Sequence, residues 1–287
     1  MGLRQKVLKL SITNGTTLKT SMSKFFQKIF HENKSMGGNR CEGSLTSQEC
    51  RQILGFMPTI AECCALQSQG EISAASTIVE WLGLPWHHDC QKNWDTLKCL
   101  YYVLKHADSA SPVLDVGASS GSVILNWLSQ MGYAELFACD IREPGVGSLS
   151  RYRERRIKFS LQDLTKTNYP ECFFRAVTCI SVIEHGVPLE AFCREQSRIL
   201  RPGGLLLIST DYWPEHIDCS GIYPYGEDMG EMKIFQRGEL EEFCRTAKKH
   251  DLLPCSNLNL DTDEKAVRWD RVDREYTFAF IALQKKT

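Results

Sequence analysis

From residue 112 onward, the sequence alternates short apolar runs with longer amphipathic stretches. A parallel sheet that is buried on both faces needs such runs as strands, and it needs helices as the crossover connections between them. This alternation predicts an α/β fold with a mostly parallel central sheet and helices on both faces. The predicted strands cover residues 112–116, 135–140, 157–161, 176–182, 204–210, a segment near 255–260, and 276–283.

Three helical patterns precede this region. The first begins at Thr46, where Thr46 and Glu49 have the spacing of a capping box, and apolar residues continue at helical intervals to Cys64. The other two cover residues 72–81 and 93–106, and further helices are predicted at 122–131, 189–200 and 239–250. We therefore predict a basic appendage at 1–50, a helical cap at 51–108 and the α/β domain at 109–287.

The overall charge and composition exclude several classes of protein. Lys and Arg number 34 against 35 Asp and Glu, so no net field gathers polyanions, and no apolar run approaches the length of a membrane span. The thirteen cysteines are odd in number and form no C-x-x-C pair, which favours free thiols in a reducing compartment. We expect a cytoplasmic protein with no nucleic-acid or membrane partner.

The segment Val113-Leu114-Asp115-Val116-Gly117-Ala118-Ser119-Ser120-Gly121 is the sharpest motif. A buried strand breaks into a turn bounded by two glycines and continues into an apolar helix, so backbone N–H groups face a ligand at close range. The spacing fits neither a dinucleotide turn nor a phosphate loop that ends in Gly-Lys-Ser/Thr. It predicts a site for a nucleotide-like cofactor.

The motif resembles motif I of the class I S-adenosylmethionine-dependent methyltransferases, usually written D/E-x-G-x-G-x-G, with Ser119 at the middle glycine. Further landmarks resemble the family in the same order along residues 111–286. These are Asp140 after the second strand, Asp163-Leu164 after the third, Ser181 to His185 after the fourth, and Arg201-Pro202-Gly203-Gly204 before the fifth.

The resemblance implies S-adenosyl-L-methionine as the cofactor and an antiparallel last strand in a seven-stranded, Rossmann-like sheet. It implies that Asp140 binds the ribose hydroxyls and that Asp163-Leu164 holds the adenine edge. A helix cap for Asp140 and a turn for Asp163 are the structural alternatives. The cofactor contacts implied are Asp115, Gly117, Ser119, Gly121, Asp140, Ile141, Asp163, Leu164 and Ser181.

The acceptor side is expected at the carboxyl ends of the strands, where open α/β sheets bind ligands. His185 is the candidate general base, and the alternative is a histidine that only shapes the pocket. The predicted substrate contacts are Glu184, Asp211, Tyr212 and Trp213. A divalent cation held by Asp211, His216 and Asp218 is a further alternative, but the spacing is not diagnostic and no metal is predicted.

We therefore expect a methyltransferase that acts on oxygen or nitrogen of a small polar acceptor, such as a sugar-derived compound. An RNA or protein methyltransferase is the first alternative, because a basic cluster follows the second strand, although solvated charges on an edge strand explain this cluster more simply. A non-catalytic binding module is the second. The cluster contains Arg151, Arg153, Arg155, Arg156 and Lys158. The oligomeric state does not follow from the sequence.

Overall fold

The structure is a computed structural model that describes residues 61–227 and 230–287, together with Leu54. The predicted appendage at 1–50 lies outside the described residues, as does nearly all of the helix predicted to begin at Thr46. None of the described helices is long and apolar enough to cross a lipid bilayer.

The described residues form nine strands, six α-helices and one short 3-10 helix at Cys90–Lys92. The strands are β1 (Cys63–Ala65), β2 (Val113–Val116), β3 (Leu136–Asp140), β4 (Lys158–Leu161), β5 (Phe174–Ile180), β6 (Leu200–Tyr212), β7 (Leu252–Pro254), β8 (Val267–Trp269) and β9 (Arg274–Lys285). The helices are α1 (Gln69–Trp81), α2 (Asn93–His106), α3 (Val123–Gln130), α4 (Val146–Glu154), α5 (Leu189–Ile199) and α6 (Arg237–Lys249).

The sheet has the order β1-β9-β6-β5-β2-β3-β4, with β7 and β8 also paired to β9. Strands β4, β3, β2, β5 and β6 run parallel to one another, and β9 pairs antiparallel with β6. The order of connection changes direction at β2, whose two neighbours are β3 and β5. The predicted α/β fold with an antiparallel last strand is confirmed, and the carboxyl ends of the parallel strands meet at one edge.

The outer edge of β9 is covered by three short strands in succession. β7 pairs with residues 283–285, β1 with residues 279–281 and β8 with residues 274–276. Two predictions are corrected here. Cys64 lies in a buried strand rather than at the end of a helix, and the strand expected near 255–260 lies at 252–254. Short apolar runs fit either element, and pairing with β9 decides between them.

The helix α2 belongs to the core rather than to the surface. Eleven of its fourteen residues are buried, and it packs on the sheet face formed by β5, β6 and β9. α1 packs on α2, so both helices share a hydrophobic cluster with the sheet. A second cluster fills the opposite face with α5 and α6. The proposed boundaries at residues 50 and 108 stay predictions.

The buried position of α2 gives a test of the fold. Leu100 lies in α2 with none of its surface exposed, so Leu100→Ala leaves a cavity against the sheet. We expect the free energy of unfolding to fall by about 2–5 kcal/mol. Leu253→Ala, at a leucine that is 42% exposed on β7, should change it by less than ~1 kcal/mol. Urea unfolding measures both, and equal effects would contradict the packing described.

Candidate active site

The turn after β2 lies at the carboxyl edge of the sheet and has a backbone that only glycine adopts easily. Gly117 and Gly121 have φ values of +76° and +101°. A Cβ atom added at Gly117 would lie 2.3 Å from Cγ2 of Val182, so the segment after β5 also requires a glycine there. Gly117 and Gly121 are thus required by their positive φ values, and Gly117 also by the lack of room for a Cβ atom.

Asp140 joins this turn to the end of β3. Its Oδ2 accepts a hydrogen bond from the backbone N–H of Ser119 at 2.8 Å, and its Oδ1 accepts one from Arg142 N–H at 2.9 Å. Each carboxylate oxygen has two lone pairs, so both keep capacity for a further donor. Asp140 holds the local backbone without capping a described helix, and it remains able to bind a hydroxyl at the same edge.

Asp115 supports the turn from below. Its Oδ1 accepts a hydrogen bond from Thr178 Oγ1 at 2.6 Å, and its side chain is buried in β2. Burial raises the pKa of Asp115 to about 6, although hydrogen bonds from Thr178 and Ser122 oppose the rise. This carboxyl group links β2 to β5 and to the start of α3.

Tyr152 on α4 is a part of the turn that the sequence analysis did not find. Its hydroxyl donates to the carbonyl of Ala118 and accepts from the N–H of Ser122 at 2.9 Å, while the side chain stays buried. One hydroxyl therefore bridges both ends of the glycine turn. In the sequence, Tyr152 stands within the basic cluster, and nothing local indicates which element it faces.

The residues predicted for the adenosine end differ in their surroundings. Ile141 is 52% exposed directly after Asp140, and it offers an apolar surface at the sheet edge. Asp163 is exposed, and its Oδ1 accepts from the N–H and the hydroxyl of Thr165, which is the turn that its structural alternative expected. Leu164 is buried in the core.

Glu184, His185 and Asp211 come together beyond the ends of β5 and β6. Glu184 and Asp211 are buried, and Oε2 of Glu184 accepts a hydrogen bond from Thr210 Oγ1 at 2.9 Å. His185 is partly exposed, so it is the member of the group that meets the space above the sheet. Of the predicted convergence of His185 with Asp211, Tyr212 and Trp213, the structure brings His185 and Asp211 together.

Lys92 completes this group and was missed by the sequence analysis. It ends the 3-10 helix, and its ammonium group donates to the hydroxyl of Ser181 and lies 3.8 Å from the ring centroid of Phe278. Ser181 has a positive φ of 52°, which directs the chain after β5 toward this cation. Because Lys92 is far from the motifs in sequence, no local pattern indicates its place.

The buried charges change one another's pKa values. Burial raises the pKa of Glu184, and burial together with the charge of Glu184 raises the pKa of Asp211 to about 7. Burial also lowers the pKa of His185, so the imidazole is neutral at pH 7. Burial opposes the charge on Lys92, but the carboxylates of Asp95, Asp211 and Glu184 raise its pKa. The site holds a permanent cation beside an ionisable acid.

Tyr225 covers the group from above. Its ring meets that of His185 edge to face with centroids 4.8 Å apart, and it lies 6.3 Å from the ring of Trp269 on β8. The backbone carbonyl of Tyr225 accepts a hydrogen bond from Arg142 Nη2 at 3.3 Å. The loop after β6 therefore connects the acceptor side to the cofactor side through Arg142.

Tyr212 is a correction. It has no exposed surface, and its hydroxyl donates to the carbonyl of Leu260 at 2.9 Å within the core on the other face of the sheet. Successive residues of a strand point to opposite faces, so Asp211 faces the site and Tyr212 cannot. Trp213 is half-buried under the ammonium group of Lys265, at 5.1 Å from the ring centroid, and its contact with an acceptor stays a prediction.

The alternative of a cation held by Asp211, His216 and Asp218 receives no support. Within residues 61–227 and 230–287, no three His, Cys, Asp or Glu side chains are placed to hold a metal ion. The exposed Asp218 carboxylate instead accepts two hydrogen bonds from Ser220, while Asp211 is buried.

Comparison with known proteins gives a family match at the site. Residues 114–208, which include the glycine turn, Asp140 and His185, match the family model described as "Methyltransferase domain". A comparison with curated protein sequences found no match.

The first two of the following solved structures support the fold, and the third is reported as a weaker likeness. Geranyl diphosphate C-methyltransferase from Streptomyces coelicolor A3(2) is 15% identical with a TM-score of 0.50, over 83% of this chain and 98% of that one. The [4+2]-cyclase SpnF is 16% identical with a TM-score of 0.50, over 79% and 100%. The 1,6-didemethyltoxoflavin-N1-methyltransferase from Burkholderia thailandensis is 18% identical with a TM-score of 0.48, over 80% and 94%.

The fold, the glycine turn and the family match agree with one another. The chain has the fold of the class I S-adenosylmethionine-dependent methyltransferases. Its methyltransferase domain includes residues 114–208, and its cofactor is S-adenosyl-L-methionine.

Asp140 gives a test of the cofactor side. Asp140→Asn keeps the shape of the side chain but places an amide N–H₂ against one of the two backbone donors. We expect the affinity for S-adenosylhomocysteine to fall by about 10- to 100-fold in calorimetry. Asp108→Asn is the matched control, because Asp108 also accepts a backbone N–H but precedes β2 at the opposite sheet edge. Unchanged affinity in a folded Asp140→Asn protein would limit Asp140 to a structural part.

Proposed function

We propose that the protein transfers the methyl group of S-adenosylmethionine to oxygen or nitrogen of a small polar acceptor, with a hydroxyl group as the favoured nucleophile. The observation that carries this proposal is the position of the partly exposed imidazole of His185 beside the buried carboxyl group of Asp211, where burial lowers the pKa of the imidazole. A hydroxyl acceptor must lose a proton during the transfer, and a base with a pKa near or below neutrality receives it.

On the cofactor side, we propose contacts through the backbone of Gly117 to Gly121, through the free lone pairs of Asp140 and along the apolar surface of Ile141. The turn presents backbone without side chains, and the exposed isoleucine matches a flat ring, so these residues fit the cofactor. The bound cofactor supplies a methyl group on a sulfonium that needs no further activation. The protein's task is therefore to position the acceptor.

His185 is the proposed general base because it is the accessible member of the buried group. Its ring contacts Tyr225, and the charge of Asp211 favours the imidazolium that forms when the proton arrives. Asp211 is buried, so it acts on the imidazole rather than on the acceptor. Glu184 is also buried, so we propose that it affects the acceptor only through its electrostatic interaction with Lys92.

A small acceptor fits the space between Tyr225 and the group formed by Glu184, His185 and Asp211. Tyr225 covers His185, and its backbone is tied to Arg142 at the cofactor side, so the space between them suits a compact molecule. The buried carboxyl groups of Glu184 and Asp211 and the ammonium group of Lys92 lie beneath this space and make its surroundings polar, which favours hydroxyl or amine functions in the acceptor. A sugar-derived acceptor is one molecule of this kind.

We also propose a cytoplasmic location. The eleven described cysteines are all free thiols, as expected for a chain in a reducing compartment. Most are buried in the core, where they act as small apolar side chains.

The base role predicts a distinct pH profile. The imidazole of His185 is free only above its lowered pKa, and Asp211 is ionised only above about 7. Turnover should therefore rise with pH across the acid to neutral range. In His185→Gln, we expect turnover to fall by about 10²–10⁴-fold while the affinity for S-adenosylhomocysteine stays unchanged. If His185→Gln keeps wild-type turnover and the wild-type pH profile, the base role is excluded. If only the KM for the acceptor rises, His185 positions the acceptor instead.

The charge of Lys92 gives a second prediction for the pH profile of turnover. Its cation lowers the pKa values of Glu184, Asp211 and His185. In Lys92→Gln these pKa values should rise, so the acid limb of the turnover profile should move to higher pH. Lys92→Arg keeps the charge and should keep the limb near its original place, although the geometry changes. A limb that stays in place in Lys92→Gln would contradict the electrostatic role.

A further inference from the structure

A second cavity lies on the outer side of the glycine turn. It has a volume of about 210 Å³ and is lined by Pro85, Trp86 and His88, by the beginning of α3 and by the end of α4. Gly121 forms part of the wall, whereas Gly117, Asp140, His185 and Asp211 do not line the cavity. It is therefore separate from the group of residues described above.

The lining of this cavity is cationic. Arg151 of α4 and Arg155, the residue that follows this helix, line it together with His88, and no Asp or Glu is found among the described residues that enclose it. Arg151 donates to Ser148 Oγ at 3.3 Å, and neither arginine forms an ion pair with a described residue. Two guanidinium groups on one helix face, one turn apart, offer a forked set of donors that matches an oxyanion.

Two further observations indicate a ligand rather than a solvated surface. Asn126 lines the cavity, and its Oδ1 is buried without a hydrogen-bond donor from any described residue. A buried acceptor without a donor costs free energy, so a hydroxyl or amine of a ligand would stabilise it. Trp86 lines the same cavity with 54% of its surface exposed, which is unusual for an indole and leaves a face for an aromatic ring.

We propose that this cavity, called here the arginine pocket (Trp86, His88, Asn126, Arg151 and Arg155), binds a small aromatic molecule that carries an anionic group and a hydroxyl or amine. The anion lies on Arg151 and Arg155, the ring packs against Trp86, and the donor reaches Asn126. We expect the pocket to bind this molecule while S-adenosylmethionine occupies its own site, because Gly117, Asp140, His185 and Asp211 do not line the pocket. This proposal does not depend on the nature of the methyl acceptor.

The pocket also contacts the turn that holds the cofactor. Arg151 Nη2 lies 3.2 Å from the position of a Cβ atom on Gly121, and Tyr152, which bridges the turn, lines the pocket as well. A ligand that fixes Arg151 therefore fixes the backbone beside it. Binding at the two sites is expected to be compatible rather than competitive.

The test uses the full chain saturated with S-adenosylhomocysteine and calorimetric titration of three probes. These are 4-hydroxyphenyl phosphate and 4-hydroxybenzoate, which differ only in the anionic group, and phenol, which has none. We expect both anionic probes to bind and phenol to give no measurable heat. Tighter binding of the phosphate would assign a dianion to the pocket, and tighter binding of the benzoate a carboxylate.

Substitutions on α4 give the matched comparison. Arg155→Gln should weaken the anionic probes about tenfold, whereas Arg153→Gln, on the same helix but outside the pocket, should leave them within about twofold. Both variants should keep the wild-type melting temperature, since both arginines are exposed. Equal losses in the two variants, equal binding of phenol, or displacement of the probes by S-adenosylhomocysteine would each overturn the proposal.

Discussion

The buried cation of Lys92 is the interaction on which the acceptor side of the molecule depends. It draws the 3-10 helix before α2 against the ends of β5 and β6 and against Phe278 of β9. Without it, Asp95, Glu184 and Asp211 would be three carboxyl groups buried close together, an arrangement that proteins stabilise only by pairing or protonation. The charge of Lys92, which lies outside the family match, therefore lets Glu184 inside the match keep its ionisable character.

The cofactor side depends instead on backbone. Asp140 and Tyr152 bridge the glycine turn with hydrogen bonds to main-chain groups, and Asp115 anchors it from below. A turn held in this way is rigid before a ligand arrives, which reduces the ordering cost of binding. The cofactor side is thus held by hydrogen bonds to backbone groups, whereas the acceptor side is held by interactions between charged side chains.

The sequence predicted the elements whose signal is local. The strand and turn from Val113 to Gly121, the end of β3 at Asp140 and the helix α2 all follow from apolar periodicity and glycine placement. It failed where the decision depends on distant pairing. Cys64 joined a strand because β9 offered an open edge, and Tyr212 faced the core because the register of β6 placed Asp211 toward the site. Lys92 and Tyr152 carry no local signal at all, since their partners lie 89 and 30 residues away.

The position of β9 in chain order has a consequence for biosynthesis. It pairs with β6 on one side and with β7, β1 and β8 on the other, and all of these precede it along the chain. A nascent chain emerging from the ribosome thus exposes the Leu205 to Ile208 edge of β6 and the apolar face of α2 until residues 274–285 have been translated. Such late, long-range strand pairing slows folding and leaves an aggregation-prone intermediate. The late arrival of one strand makes the growing chain a natural client for chaperones that bind apolar segments.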